Sequence, residues 1–265
     1  MTYTPPTTAG LAVESYTSLA QTGRIATPSG QLRRVMPLMR KYEVAHLTPS
    51  LQIHEDTVSA PALPAFEDAF AAFGRGAIVQ TENGPTAIED LLPGDRVMTT
   101  QYGLQTLLWR GVMTISPNAQ TSRPHMNTMT RITTDALGYG RPAPDLVLGP
   151  AARILHKSPA ARVLTGQDAA LVPARDFIDG SQLIELRPVA TVSCFQLGFV
   201  RHCTIMVNGI EVETLHPGPA HALGLRGDLQ HQFMAMFPHI SRFADFGTLV
   251  APRVNREDLE LVSAA

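Results

Sequence analysis

The chain has 265 residues, enough for one large domain or two small ones, and its 44% hydrophobic content with a mean hydropathy near zero is that of a soluble globular protein. A formal net charge of −2 argues against a nucleic-acid partner, and the chain holds no apolar run of the roughly 18 residues that a membrane span needs. With 21 Pro, 20 Gly and few aromatic residues, short strands and many turns are favoured over long helices.

Residues 1 to about 24 are rich in Thr, Ser, Gly and Pro and lack periodicity, so a disordered or loosely attached arm is expected there. Its start, MTYTPPTTAG, has neither the basic nor the apolar region of a cleavable signal. A cytoplasmic, reduced setting is the default expectation, with signal-less export left open. Arg33, Arg34, Arg40 and Lys41 cluster around Met36 and Met39, which reads as the solvated face of a short helix interrupted at Pro37; an anionic-partner site is the alternative. Tyr42 to Leu47 and Leu51 to Val58 read as two strands of a hairpin, joined through Thr48-Pro49-Ser50. Pro64 then opens a short helix on which Phe66, Phe70 and Phe73 would form one apolar stripe, with Glu67 and Asp68 near the positive end of its dipole.

From Gly76 the sequence is dense in turn signals. Ile78-Val79 ends a strand, Glu82-Asn83-Gly84-Pro85 is a turn, Pro93-Gly94 sets another, Arg96 to Thr100 alternates as a strand, and Tyr102-Gly103 turns the chain again. The whole run, G-x-x-V-x-T-x-x-G-x-x-x-I-E-D-L-x-P-G-D-x-V followed by the Leu108-Trp109-Arg110-Gly111 stretch, resembles the opening of a Hint domain, the self-cleaving module of hedgehog proteins and inteins. The resemblance spans about Phe66 to Pro219. It implies a mainly β, antiparallel Hint-type domain, here with a short N-terminal hairpin and helix and a C-terminal helix. It also implies a Cys or Ser nucleophile at the module's first residue, and alignment through Phe73, Gly76, Val79, Thr81 and Gly84 puts that position at Ala72, whose methyl group cannot attack a carbonyl. No Ser, Thr or Cys lies between Pro61 and Gln80; the next hydroxyl, Thr81, would be roughly 30 Å away along extended chain.

Asn118 to Pro124 reads as a surface loop, Met129 to Thr133 as β, and residues 138–145 as another loop. Leu146 to Leu155 resembles the family's second motif, S-P-x-H-R-x-L, in which the His is expected to strain the scissile amide and assist proton transfer. Gly149 replaces the Ser, Pro150 and Arg153 fit, and Ala152 takes the His position. His156, four residues on, would lie about 13 Å from Ala152 along a strand, too far to substitute, and is read as a surface or loop histidine. Ala170 to Arg175 resembles the family's V-P-A stretch, and Gln182 to Val189 reads as a strand ended by Pro188.

Thr191 to Phe199, His202 to Val207 and Ile210 to Thr214 read as consecutive strands, the last two joined by Asn208-Gly209. They resemble the family's closing block, with His202 and Glu213-Thr214-Leu215 as the matching residues. A tight turn between Phe199 and His202 would set Cys194 opposite Val207 and Cys203 opposite Gly198, their Cα atoms roughly 13 Å apart against a disulfide reach of about 7 Å, so both thiols are expected free. After Pro219, Asp228 is expected to cap a helix from Leu229 to Phe237, and a charged tail from Arg253 to Glu260 is expected to fray.

The expected organisation is an arm and hairpin over 1–65, a Hint-like domain over 66–219 and a helical tail over 220–265. The expected site is Ala72, Ala152 and His202, distant in sequence and converging in space, with no cofactor and no metal. Three functions compete. The first is a Hint-like domain without self-cleavage, acting as a structural or interaction module with an unidentified protein partner. The second is active self-processing through another nucleophile, such as Thr81 or Cys203. The third is a β-rich ligand-binding module, which would show a pocket with convergent polar groups away from Ala72.

Overall fold

In the computed structural model, the described residues are 24–26, 32–34, 38–117, 119, 121 and 123–264. The expected N-terminal arm lies outside them, apart from Arg24. The chain divides into two compact units, 1–36 and 37–265. In the first, β1 (Arg24–Ala26) and β2 (Leu32–Arg34) pair antiparallel.

The second unit runs through β3 (Met39–Leu47), β4 (Ile53–Pro61), α1 (Pro64–Asp68), β5 (Phe73–Gly74), β6 (Ile78–Thr81) and β7 (Gly84–Ala87). It continues through β8 (Arg96–Thr99), β9 (Gly103–Thr106), β10 (Trp109–Ile115), β11 (Met129–Ile132), β12 (Leu146–Leu148), β13 (Arg153–Lys157) and α2 (Pro159–Thr165). The remaining elements are β14 (Ala169–Pro173), β15 (Leu183–Leu186), β16 (Val192–Gly198), β17 (Thr204–Val207), β18 (Ile210–Glu213), α3 (Asp228–Ala235) and α4 (Arg256–Ser263). Two antiparallel sheets result. One has the order β15-β11-β12-β5-β16-β10-β3-β4; the other has β14-β13-β18-β17-β6-β8-β9, with β7 on β6.

The turn chemistry explains the local pairings. Asn208 and Gly209 both take positive φ, 49° and 87°, the backbone a two-residue hairpin requires, and bring β17 onto β18. Gly103 does the same service for β8 and β9. The hairpin of β3 and β4 forms as expected and extends a few residues further at its open end, because Tyr42 and Val44 alternate inward on β3. That alternation also decides the basic cluster. Arg40 and Lys41 stand on a strand and not on a helix, and Arg40 is spent on the fully buried Glu67 at 2.9 Å.

Strands of both sheets meet in one core, and the first sheet gives its other face to a second. One core gathers Phe73, Val79, Leu148, Ile154, Phe195 and Ile205. The other gathers Phe66, Phe70, Trp109, Phe233 and Phe237. The three-Phe helical stripe is therefore wrong. α1 ends at Asp68 because the chain must become extended to set Phe73 beside Leu148 and Phe195, leaving Phe70 to turn the other way against Tyr42 and Trp109.

Other expectations about pairing and chain ends differ from the structure, although both thiols are free as expected. β16 and β17 belong to different sheets, so Cys194 pairs across to Met113 and Gly74 and faces neither Val207 nor Cys203; the two thiols are unbonded. Gly227, with φ of 53°, occupies the cap of α3, and Asp228 makes no cap bond. The C-terminal tail does not fray: Leu259 of α4 is buried among Ala160, Ala161, Ala170 and Val172, and Arg253 bridges to Leu171.

Candidate functional site

The chain between α1 and β5 is clamped on both sides. Ala72 N–H donates to the Phe195 carbonyl at 3.2 Å, and the turn Gly149–Ala152 faces the other side: Gly149 N–H donates to Ala72 O at 2.8 Å and Ala151 N–H to Ala71 O at 2.9 Å. Gly149 is required by this approach, since a Cβ there would overlap the Ala71 carbonyl oxygen and sit 2.7 Å from its carbon. Ala152 closes the same turn, its N–H donating to Gly149 O at 3.1 Å and its carbonyl accepting from Ala174 N–H at 2.9 Å. Both alanines are buried in one apolar core, at 2% and 1% exposure.

His202 sits just before β17 and is buried. Its Nδ1 accepts from Val250 N–H at 3.1 Å, which leaves Nε2 to carry the proton, 3.1 Å from Glu213 Oε1. Glu213 is the centre of a charged knot. Arg253 donates to its Oε1 through Nε and Nη2 at 3.0 and 2.8 Å, and Arg153 Nη1 lies 3.6 Å from Oε2. Burial alone would raise the Glu213 carboxyl, but the His202 N–H, Arg253 and Arg153 overcome it and hold the group below its ordinary range. Burial pushes the opposite way on the neighbouring His216, down to about 4, although its bond to Gly247 O works against that.

A small cavity of about 150 Å³ opens against Ala72, Ala151, Arg153, Gln196, Glu213 and Arg253. Ala72 thus faces the knot that His202 supports, while Ala152 and His202 stand behind the wall and do not line the cavity. Arg253 and Gln196 escaped the sequence reading: Gln196 is an unmarked position of the Thr191 to Phe199 strand, and Arg253 reaches the site only because the tail folds back.

The other candidates lie elsewhere. Thr81 Oγ1 donates to Gly84 O at 2.7 Å inside the β6–β7 hairpin. His156 is on β13 and half-buried against Phe177, not on a loop; the β13–β14 pairing fixes it there. Cys203 Sγ is 3.5 Å from Thr214 Oγ1, and burial pushes its thiol up to about 11. Cys194 Sγ lies 3.2 Å from where a Gly149 Cβ would stand, beside the Ala71 carbonyl, and burial pushes that thiol up to about 12. Among the described residues no group of three or more His, Cys, Asp or Glu could hold a metal ion, and no helix is long and apolar enough to cross a membrane.

Two antiparallel sheets closing over one clamped peptide define a mainly β, intein-like fold. The Hint domain family profile matches residues 71–219, beginning one residue before Ala72, and the chain belongs to that family. Among solved structures, a bacterial intein-like domain from Clostridium thermocellum aligns at 15% identity with a TM-score of 0.39, covering 55% of this chain and 99% of that one. A splice-inactive variant of the AceL NrdHF class 3 split intein aligns at 11% identity and a TM-score of 0.37, with the same coverage of each chain. No curated protein matches the chain.

Proposed function

We propose that this Hint domain no longer processes itself and serves as a structural or interaction module for another protein. The observation that carries the reading is Ala72. The nucleophile position holds a methyl group, buried, with its N–H and carbonyl both engaged. A planar amide resists attack, and the residue expected to strain it is replaced by Ala152. The peptide between Ala71 and Ala72 is thereby left without an acceptor atom at the usual place.

Cys194 favours one rival. Its thiol and the Ala71 carbonyl both border the point where a Gly149 Cβ would stand, and attack by Sγ on that carbon would form a thioester, break the bond to Ala72 nitrogen and deliver the thiol proton to the new amine. A thiol pushed up to about 12 is protonated at neutral pH and has no base against it among the described residues, so inertness is the favoured reading. Intact-mass measurement decides between them. The chain should stay whole at 28.6 kDa through incubation with hydroxylamine or dithiothreitol. A fragment beginning at Ala72, lost in Cys194→Ser, would establish self-processing through that thiol.

A further inference from the structure

We propose that the cavity beside Ala72 binds a small organic carboxylate, with Arg153 and Gln196 as its recognising groups. Two guanidiniums border this cavity and share one carboxylate, Glu213; the other acid in its wall, Asp68, is taken by Arg123 at 3.0 Å. The cavity therefore carries uncompensated positive charge. Arg253 spends Nε and Nη2 on Glu213 and on the His216 carbonyl. Arg153 makes only its 3.6 Å approach to Glu213 and no hydrogen bond among the described residues. A guanidinium in that state presents a planar fork suited to two carboxylate oxygens.

Gln196 is the independent sign. It is 6% exposed, projects from β16 into the cavity wall, and its Oε1 accepts from Leu197 N–H at 2.9 Å. Its Nε2 has no acceptor among the described residues and so offers two N–H donors toward the cavity. That nitrogen is open to water, which a bound carboxylate oxygen would displace. Ala69, Ala72, Leu215 and Leu223 supply an apolar wall for a short aliphatic tail. At about 150 Å³ the space suits an acid of two to four carbons and not a nucleotide or a peptide.

This proposal is separate from the loss of processing: it concerns a binding equilibrium, whereas that reading concerns the mass of the chain. The test uses the full-length protein, titrated with sodium acetate, propionate and butyrate against sodium chloride and sulfate at matched ionic strength. Isothermal calorimetry and melting temperature are the readouts. A saturable heat and a rise in Tm of roughly 5–10 °C at a hundredfold excess over the dissociation constant are expected for the carboxylates alone. Gln196→Glu should place a carboxylate in the cavity permanently. It should raise Tm without ligand and abolish the response to propionate, whereas Arg153→Gln should weaken binding at least tenfold. Equal responses to all salts, or an unchanged propionate response in Gln196→Glu, would overturn the proposal.

Discussion

At the scale of single residues, the site is governed by two absences of side chain. Gly149 has no Cβ because the Ala71 carbonyl occupies its place, so Gly149→Ala should cost about 1–3 kcal/mol through overpacking, read as a lower urea midpoint with an unchanged slope. Ala72, at the position proposed for the nucleophile, can be given one by substitution. Ala72→Cys alone should give at most feeble thiol-induced cleavage, because a missing acid or base costs about 10²–10⁴-fold. Ala72→Cys with Ala152→His should cleave faster, scored as the fraction of chain cut in dithiothreitol over a day. If the double variant cleaves no faster than the single one, the assignment of Ala152 to the assisting position fails.

Elements differ in how much of themselves the sequence discloses. Hairpins are readable because their determinants are local: Asn208-Gly209 and Tyr102-Gly103 specify positive φ at the residues that need it. What the sequence hides is non-local. Nothing near Arg253 announces that it will meet Glu213, forty positions away, and nothing near Phe73 tells that it faces a different core from Phe70. The segment containing Arg253 is consequently more than a tail. Arg253→Met should destabilise the protein by roughly 2–4 kcal/mol, less than the full cost of orphaning a buried acid because Arg153 and His202 still face Glu213.

The stretch after α3 has a pH dependence of its own. Burial against Trp109, helped by the charge of His46, holds His239 down at about 3. An unfolded chain takes up that proton near pH 6.5 and the folded one does not, so the stability present above pH 6.5 is lost as pH falls toward about 3. His216, at about 4, and Glu213, below its ordinary range, act in the same direction. Between pH 6.5 and about 4.5 the His239 share should be roughly 1–3 kcal/mol. His239→Phe should flatten the urea midpoint over that interval; an unchanged pH slope would count against it.

For the whole molecule, the peptide joining Ala71 to Ala72 is not a border. Residues before it supply β3, β4 and α1, and β3 pairs along β10 of the Hint domain from Trp109 to Met113. Phe66 and Phe70 share a core with Phe233 and Phe237 from beyond residue 219. A cut at Ala72, whether self-made in the restored double variant or introduced by protease, should therefore give two bands under denaturing conditions and one native-sized peak on gel filtration. Separation of the pieces without denaturant would mean that the upstream strands add little to the common core.

Trp109 is the only tryptophan in the chain, and it stands where these three stretches meet: Phe70 approaches from upstream, Phe237 and His239 cover it from downstream, and its indole N–H donates to the Met236 carbonyl at 2.8 Å. The molecule thus carries a label-free optical probe at its own seam. Its emission colour distinguishes a docked downstream segment from one that has lifted into water, in the intact protein and in every variant above that spares the indole.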